Sequence, residues 1–365
     1  MDPLFSPVRL GEISLAHRVV MAPLTRLRVN RPGKAPDALN ALYYGQRASQ
    51  GGLIITEATD TSPHAAGYPG SPGIYTAAQI AGWRLVTEAV HAKGGLIFCQ
   101  IWHTGRVSHP SLQPDGLAPF APSAIAAPGM HMDRDGQPAP FPVPRELDAD
   151  HIAAIVADFA AATAAAHQAG FDGVEVHGAN SYLIDQFLQT ASNQRTDRYG
   201  GSIENRARFL LEVVDAVAAV RGGGRVGVRL SPFGKTNGMA DADGAAMWDH
   251  VVAQLGLRSL AYLHLVEPRA DQRSDVNALD PQAPDAAERF KPIFGGPIIA
   301  AGGFEPGTAR EAIASRRADA IAFGRSFIAN PDLPERIRTN AAFNAYDRTT
   351  FYGGDARGYV DYPFL

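Results

Sequence analysis

The segment 177-HGANSYL-183 brings three side chains that could do chemistry, His177, Asn180 and Tyr182, within six residues of one another. A neutral imidazole and a carboxamide can both donate hydrogen bonds, and two donors that converge on one oxygen polarise a carbonyl. The three-residue spacing predicts that one helical turn would present His177 and Asn180 on the same side. Tyr182 is a candidate proton donor reaching the ligand from another direction, because a phenol stays protonated at neutral pH. A single His or Tyr is more often structural, but the three together favour a catalytic site.

The apolar run before His177 is one of eight short runs that are each followed by a helical pattern. Near-continuous apolar strands fit a parallel sheet that is buried on both faces. Eight strand–helix repeats predict an α/β fold, a closed (β/α)8 TIM barrel that forms a single domain over residues 1–365. The eight runs are 18–25, 53–59, 96–102, 173–179, 225–232, 260–268, 297–304 and 318–325.

Two segments fall outside this repeat. Residues 1–16 precede the first strand and are predicted to form an N-terminal hairpin that closes the bottom of the barrel. Residues 103–147 form a long excursion after strand three that is rich in Pro and Gly. Because loops of this length are usually functional or disordered, we expect this one to cap one side of the active-site face.

The ends of strands seven and eight predict a phosphate site. Active sites of TIM barrels lie at the carboxyl ends of the strands, and the last two loops frequently bind phosphate. Here these loops carry Gly302, Gly303, Gly324 and Arg325, which combine close backbone approach with a guanidinium that suits phosphate oxygens. The alternative is that the glycines serve only the turns.

Arg229 stands inside the apolar strand 225–232, where a charge must be paired or must contact a ligand. An internal salt bridge to Glu57 or Glu175 would explain the arginine as well as a ligand would. The residues by themselves leave both interpretations open.

Composition excludes several classes of protein. The net charge is -4 and there is no long basic run, so a nucleic-acid partner is not expected. No uninterrupted apolar run is long enough to span a bilayer, and the N-terminus is not typical of a signal peptide, which together predict a cytoplasmic protein. The single cysteine, Cys99, excludes an intrachain disulfide and a cysteine-rich metal or iron–sulfur site.

The chain also lacks the groups of several barrel chemistries. None of its four lysines ends a predicted strand, which argues against a Schiff-base aldolase. No His-x-His pair ends strand one, and there is no G-x-S-x-G elbow, so we expect neither a metal site nor a serine nucleophile. Donors and a phosphate cradle without a nucleophile or metal predict an organic cofactor.

These residues stand in a longer pattern that resembles the Old Yellow Enzyme family of flavin-dependent ene-reductases, and in particular its bacterial branch. The resemblance covers nearly the whole chain, and the combined spacing of its segments is specific. The matching segments are 18-RVVMAPLTR-26, 53-LIITEAT-59, 99-CQIWHTGR-106, 177-HGANSYL-183, 192-SNQRTDRYGGSIENRARF-209, 322-AFGRSFIANPDL-333 and 351-FYGGDARGYVDYP-363.

The resemblance implies FMN, bound non-covalently across the barrel mouth, and NADPH or NADH as hydride donor. It places Thr25 at the flavin O4, Gln100 at the pyrimidine edge and Arg229 beside N1 and O2, which favours a ligand role for the arginine. The implied cofactor-binding residues are Pro23, Leu24, Thr25, Ala58, Gln100, Arg229, Gly302, Gly303, Gly324 and Arg325.

The resemblance also implies small activated alkenes as substrates. His177 and Asn180 would hold the carbonyl or nitro oxygen of such a substrate, and Tyr182 would protonate its alpha carbon. Tyr68, Trp102 and Tyr352 would line the substrate pocket. We expect a monomer or weak homodimer, with no nucleic-acid or membrane partner.

Some features depart from the family pattern. Ser181 stands where the family more often has Gly, so its bulk could move Asn180 or Tyr182, and the segment 266–281 has no clear counterpart. The rival hypotheses are a phosphosugar isomerase or lyase that uses the same phosphate cradle, and a flavin-binding protein without turnover.

Overall fold

Eight parallel strands form the centre of the molecule. The computed structural model describes residues 2–29, 33–268 and 285–365, so most of the segment 266–281 lies outside the described residues. The strands are β1 Val19–Met21, β2 Leu53–Ile55, β3 Leu96–Trp102, β4 Gly173–Gly178, β5 Val226–Leu230, β6 Tyr262–Val266, β7 Ile298–Ala301 and β8 Ala320–Phe323.

These strands close on themselves. Each pairs in parallel with the next, β8 pairs with β1, and β3 pairs with β4, which completes the ring. The register sets Glu175 opposite Gln100, His177 opposite Arg229, and Arg229 opposite His264. The predicted TIM barrel is therefore confirmed, and its register brings polar residues of four neighbouring strands to the same level.

Ten helices accompany the strands in the described part of the chain. They are α1 Ala38–Arg47, α2 Ala77–His91, α3 Ala149–Gln168, α4 Leu183–Leu188, α5 Ile203–Arg221, α6 Ala245–Gly256, α7 Ala286–Phe294, α8 Pro306–Ala314, α9 Arg325–Ala329 and α10 Leu333–Thr339. The outer core lies between the strands and these helices and includes Trp83, Phe159 and Trp248, as well as Cys99. Burial raises the pKa of the Cys99 thiol to about 12, as an inert core cysteine requires.

Helix α3 has the length and hydropathy of a membrane span. Its N-cap is Asp148, whose carboxylate accepts a hydrogen bond from the backbone N–H of His151. Its buried residues include Ile152, Ile155 and Phe159, and the helix packs against α5 and β3. The alanine-rich sequence explains its hydropathy, and its packing makes it a helix of the barrel shell.

The N-terminal hairpin closes the bottom of the barrel, as predicted. Val8–Leu10 pairs antiparallel with Ile13–Leu15. Leu10, Ile13 and Leu15 join the inner core of the barrel, where they cluster with Phe98 and Tyr262. The lower half of the barrel is thus filled with apolar side chains.

The excursion 103–147 contains two small sheets. Phe120–Ala121 pairs in parallel with Arg145–Glu146, and Met130–Met132 pairs antiparallel with Pro138–Pro140. The antiparallel hairpin, called the mouth hairpin below, contributes Met130, His131, Met132 and Pro138 to the wall of the cavity described next. The expected cap is therefore a hairpin at one side of the barrel mouth.

Candidate active site

A cavity of about 730 Å³ opens at the carboxyl ends of the barrel strands. This volume lies within the range of about 300–1,000 Å³ that is typical of small-molecule sites. Fourteen of the sixteen residues expected at the site line it: Pro23, Leu24, Thr25, Tyr68, Gln100, His177, Asn180, Tyr182, Arg229, Gly302, Gly303, Gly324, Arg325 and Tyr352. Ala58 and Trp102 do not line the wall and are buried behind it.

The turn after β4 differs from the helical turn that the spacing predicts. Strand β4 ends at Gly178, and Asn180 and Ser181 then adopt left-handed backbone conformations with φ of 57° and 67°. The expected right-handed turn between His177 and Asn180 is therefore wrong, although both side chains line the cavity. The backbone N–H of Asn180 donates to the Ser231 hydroxyl over 2.8 Å, which ties this turn to the end of β5.

Tyr182 is packed between two aromatic rings. Its ring meets His177 edge to face at a centroid distance of 5.0 Å and Trp102 at 4.7 Å. Its hydroxyl donates to the hydroxyl of Tyr68 over 3.2 Å. Trp102 is held from behind, because its indole N–H donates to Asp60 over 2.6 Å. Trp102 therefore supports the rings of His177 and Tyr182 from outside the cavity wall.

The surroundings set the protonation states of the two candidate catalytic groups. Burial first, and then the charges of Arg229 and His264, hold the pKa of His177 well below its usual 6.5. Burial and the neighbouring Tyr68 raise the pKa of Tyr182 well above 10. His177 is thus a neutral hydrogen-bond donor at neutral pH, and Tyr182 keeps its proton.

Both carboxylates that the sequence offers as salt-bridge partners of Arg229 accept hydrogen bonds from other groups. Glu57 accepts from the backbone N–H groups of Arg26 and Leu27. Glu175 accepts from Gln100 Nε2 over 2.7 Å and from His264 Nδ1 over 2.9 Å.

Neither carboxylate lies within ion-pair distance of Arg229 in the described part of the chain, although Glu175 interacts with it through space. The buried Nε of Arg229 has no hydrogen-bond partner among the described residues, and the side chain lines the cavity. A buried guanidinium in this position suits an anionic or electron-rich ligand edge.

The opposite side of the cavity is built from backbone. Gly302 and Gly303 have φ of 117° and 67°, conformations that side-chain-bearing residues rarely adopt. A side chain at Gly324 would approach Leu24 Cδ2 to 3.3 Å. With Arg325 beside them, these glycines form a basic concave surface on which a phosphate can lie against the main chain.

Taken together, the residues present fit FMN. The cavity has the volume of a small-molecule site, a buried guanidinium whose Nε has no hydrogen-bond partner among the described residues at one end, and a glycine-lined cradle with an arginine at the other. Gln100 and Thr25 add polar groups between these ends.

Sequence reasoning missed several residues of the cavity wall. They come from the mouth hairpin and the adjacent Phe141, from the turn after β5, and from the C-terminal segment: Met130, Met132, Pro138, Phe141, Asn237, Tyr346 and Phe351. These residues lie outside the predicted strand runs and carry no periodic pattern. The signals in the sequence were the excess length of the 103–147 excursion for the hairpin residues and the matching segment 351–363 for Phe351.

Comparisons with known proteins agree with this geometry. A family model described as NADH:flavin oxidoreductase / NADH oxidase matches residues 3–344. A flavin oxidoreductase of Emericella nidulans is 46% identical, over 100% of this chain and 98% of the relative. The 12-oxophytodienoate reductase 1 of Oryza sativa subsp. japonica is 47% identical, over 100% and 93% respectively. The solved structure of morphinone reductase in complex with tetrahydroNAD matches with a TM-score of 0.92 and 52% identity, over 99% of this chain and 97% of that chain.

Proposed function

Because the chain belongs to the Old Yellow Enzyme family of flavin oxidoreductases, we propose specific catalytic roles for the side chains at its cavity. The protein is an FMN-dependent ene-reductase that takes hydride from a nicotinamide coenzyme and reduces activated alkenes. The observation that carries the assignment of roles is that His177, Asn180 and Tyr182 converge on one cavity. The substrates are α,β-unsaturated carbonyl or nitro compounds, and residues 1–365 act as one domain.

FMN supplies, when bound, the hydride acceptor and donor that the side chains of this chain lack. Arg229 and Gln100 would hold its ring together with Thr25 and Pro23, and the phosphate would be held by Gly302, Gly303, Gly324 and Arg325, all of which line the cavity. Leu24 and Ala58 contribute apolar packing. Ala58 is buried and does not line the cavity, so it would pack behind the wall residues.

His177 and Asn180 form a clamp for the activating oxygen of the substrate. The neutral imidazole and the carboxamide both donate hydrogen bonds, and both line the cavity. As the double bond is reduced, negative charge grows on the oxygen, so these bonds become stronger in the transition state than in the bound substrate.

Tyr182 delivers the proton to the carbon alpha to the activating group. Its high pKa keeps the phenol protonated until a strongly basic enolate carbon lies beside it. Tyr68 can then reorient its hydroxyl to donate to the phenolate that forms, because the two oxygens lie 3.2 Å apart. Tyr352 bounds the substrate pocket at the mouth, and Trp102 supports Tyr182 and His177 from behind.

The rival hypotheses account for less of the site. A phosphosugar isomerase or lyase would use the glycine cradle but leaves Arg229 and Gln100 without a role, and the named relatives are reductases. A flavin-binding protein without turnover would not need the clamp and the proton donor. We also propose that the enzyme works in the cytoplasm as a monomer or weak homodimer.

The visible spectrum of the purified protein tests this function. We expect flavin absorbance that bleaches on anaerobic addition of NADH or NADPH and returns when 2-cyclohexenone is added. A protein that stays colourless after incubation with FMN would refute the cofactor assignment. Bleaching without recovery, for 2-cyclohexenone and for a nitroalkene alike, would refute the proposed roles of the clamp and of Tyr182.

A further inference from the structure

A layer of polar side chains lies between the apolar lower core of the barrel and the floor of the cavity. It consists of Gln100 on β3, Glu175 on β4, Arg229 on β5 and His264 on β6, which the strand register brings to neighbouring positions. Gln100 and Arg229 line the cavity, whereas Glu175 and His264 are fully buried. Glu175 is the carboxylate of this layer. It does not line the cavity itself, but it contacts the wall through its hydrogen bond with Gln100.

Glu175 determines how the carboxamide of Gln100 is presented. One Nε2 hydrogen of Gln100 is committed to Glu175 Oε1 over 2.7 Å. A carboxylate only accepts hydrogen bonds, so the flipped rotamer of Gln100 would bring two oxygens together and is excluded. The carbonyl oxygen and the remaining N–H of Gln100 are therefore left for the ligand side.

Glu175 also acts on the charge of Arg229. The carboxylate is fully buried, where an unpaired charge is costly, and its second oxygen accepts from His264 Nδ1 over 2.9 Å. Burial would raise the pKa of Glu175, but the electrostatic interaction and hydrogen bond with His264, then the charge of Arg229 and the hydrogen bond from Gln100, outweigh it, so this pKa lies below its usual value and the group stays ionised. One negative and one positive charge thus lie in this layer with little solvent to screen them.

We propose that Glu175 is a positioning residue of the cofactor site, which orients Gln100 and lowers the electrostatic potential that Arg229 presents to the cavity. The proposal rests on the proposed function, because it assumes that Gln100 and Arg229 contact FMN. Two-electron reduction leaves additional negative charge on the flavin at neutral pH, and Arg229 favours that form. The negative charge of Glu175 disfavours the reduced form and so lowers the midpoint potential of the bound flavin.

Glu175→Gln removes the charge and nearly conserves the shape. Unit charges across roughly 10 Å at an effective dielectric constant of about 20 change an equilibrium about tenfold. We expect the affinity for reduced over oxidised FMN to rise about tenfold, which raises the two-electron midpoint potential by about 30 mV. The measurement is a dye-coupled equilibrium reduction of the FMN-loaded protein.

Two further variants separate this role from a structural one. Asp319 lies just before the start of β8, and its carboxylate binds Lys291 and the backbone N–H of Ile298. Asp319→Asn removes this charge and should leave the midpoint potential of the flavin unchanged. Glu175→Asp keeps the charge but shortens the side chain that holds Gln100. It should weaken the binding of oxidised FMN several-fold, which flavin fluorescence during titration of the apoprotein measures. Its midpoint potential should shift by less than a third of the change that Glu175→Gln causes.

An unchanged or lowered potential in Glu175→Gln would overturn the proposal. If that variant does not fold, unchanged FMN affinity in Glu175→Asp would overturn it instead. Failure of the proposed function would be recognised separately, because the wild-type protein itself would then bind no FMN.

Discussion

Removing the hydroxyl of Tyr182 tests the proposed proton donor directly. In Tyr182→Phe the ring keeps its edge contacts with Trp102 and His177, and the hydroxyl gives up one hydrogen bond, the 3.2 Å contact to Tyr68. Loss of such a bond costs about 1 kcal/mol of stability, so the variant should fold. A positioned general acid contributes about 10²–10⁴-fold to a rate, so the alkene-reducing half-reaction should slow at least about 100-fold.

The assay is stopped-flow absorbance of the flavin in two separate experiments. Mixing oxidised enzyme with NADH reports flavin reduction, which should change less than about twofold because no proton from Tyr182 enters that step. Mixing reduced enzyme with 2-cyclohexenone reports the alkene half-reaction. Tyr68→Phe is the matched control, because it removes the same hydrogen bond but leaves the Tyr182 hydroxyl in place. The alkene half-reaction of this variant should slow only a few-fold, as the loss of one such bond implies.

Equal slowing of both half-reactions in Tyr182→Phe would refute the reasoning and assign the phenol a structural role. An equal effect of Tyr68→Phe and Tyr182→Phe on the alkene half-reaction would refute it as well. In that case the rate would depend on the hydrogen bond between Tyr68 and Tyr182, and not on proton donation by Tyr182.

Three further predictions follow from the same site. His177 is a neutral donor, so the alkene half-reaction should be independent of pH between 6 and 8; an inflection near pH 6.5 that His177→Gln abolishes would contradict this. Ser181 has φ of 67° and accepts a hydrogen bond from Asn237, so both Ser181→Ala and Ser181→Gly lose that bond but only glycine relieves the backbone. Ser181→Ala should therefore be about 1 kcal/mol less stable than Ser181→Gly in urea unfolding, and equal stabilities would show no strain. Burial raises the pKa of Asp185 from 3.8 to about 7, so its folded form holds a proton that the unfolded form has lost, and its contribution to stability declines as pH rises from about 4 to 7. The stability of Asp185→Asn relative to wild type should improve across that window, and a difference that does not change with pH would disprove the assignment.

The sequence by itself determined the barrel and its strand order. Strand β3 lies at the predicted residues 96–102, and the other strands fall inside the predicted runs or, for β2 and β4, at the start of one. This was possible because a strand buried on both faces must be apolar along its length, a local property that a sequence displays directly. The predicted site residues at strand ends followed from the same rule, because every parallel strand of a barrel ends at one rim.

Tertiary structure alone decided which side chains meet. Asn180 and Ser181 are left-handed, so the spacing of His177 and Asn180 did not predict their relation. A hydrogen bond from Asn180 to Ser231, just after strand β5, holds this turn. Trp102 ends a strand as expected but packs behind the wall, because Asp60 holds its indole there.

The sequence also could not predict that Glu175 pairs with Gln100 and His264 and not with Arg229. Whether a buried charge pairs with a neighbour or faces a ligand depends on differences of an ångström between side chains of adjacent strands. Periodicity shows which face of a strand a residue occupies, but the contacts across that face depend on register, rotamer and the closure of the barrel.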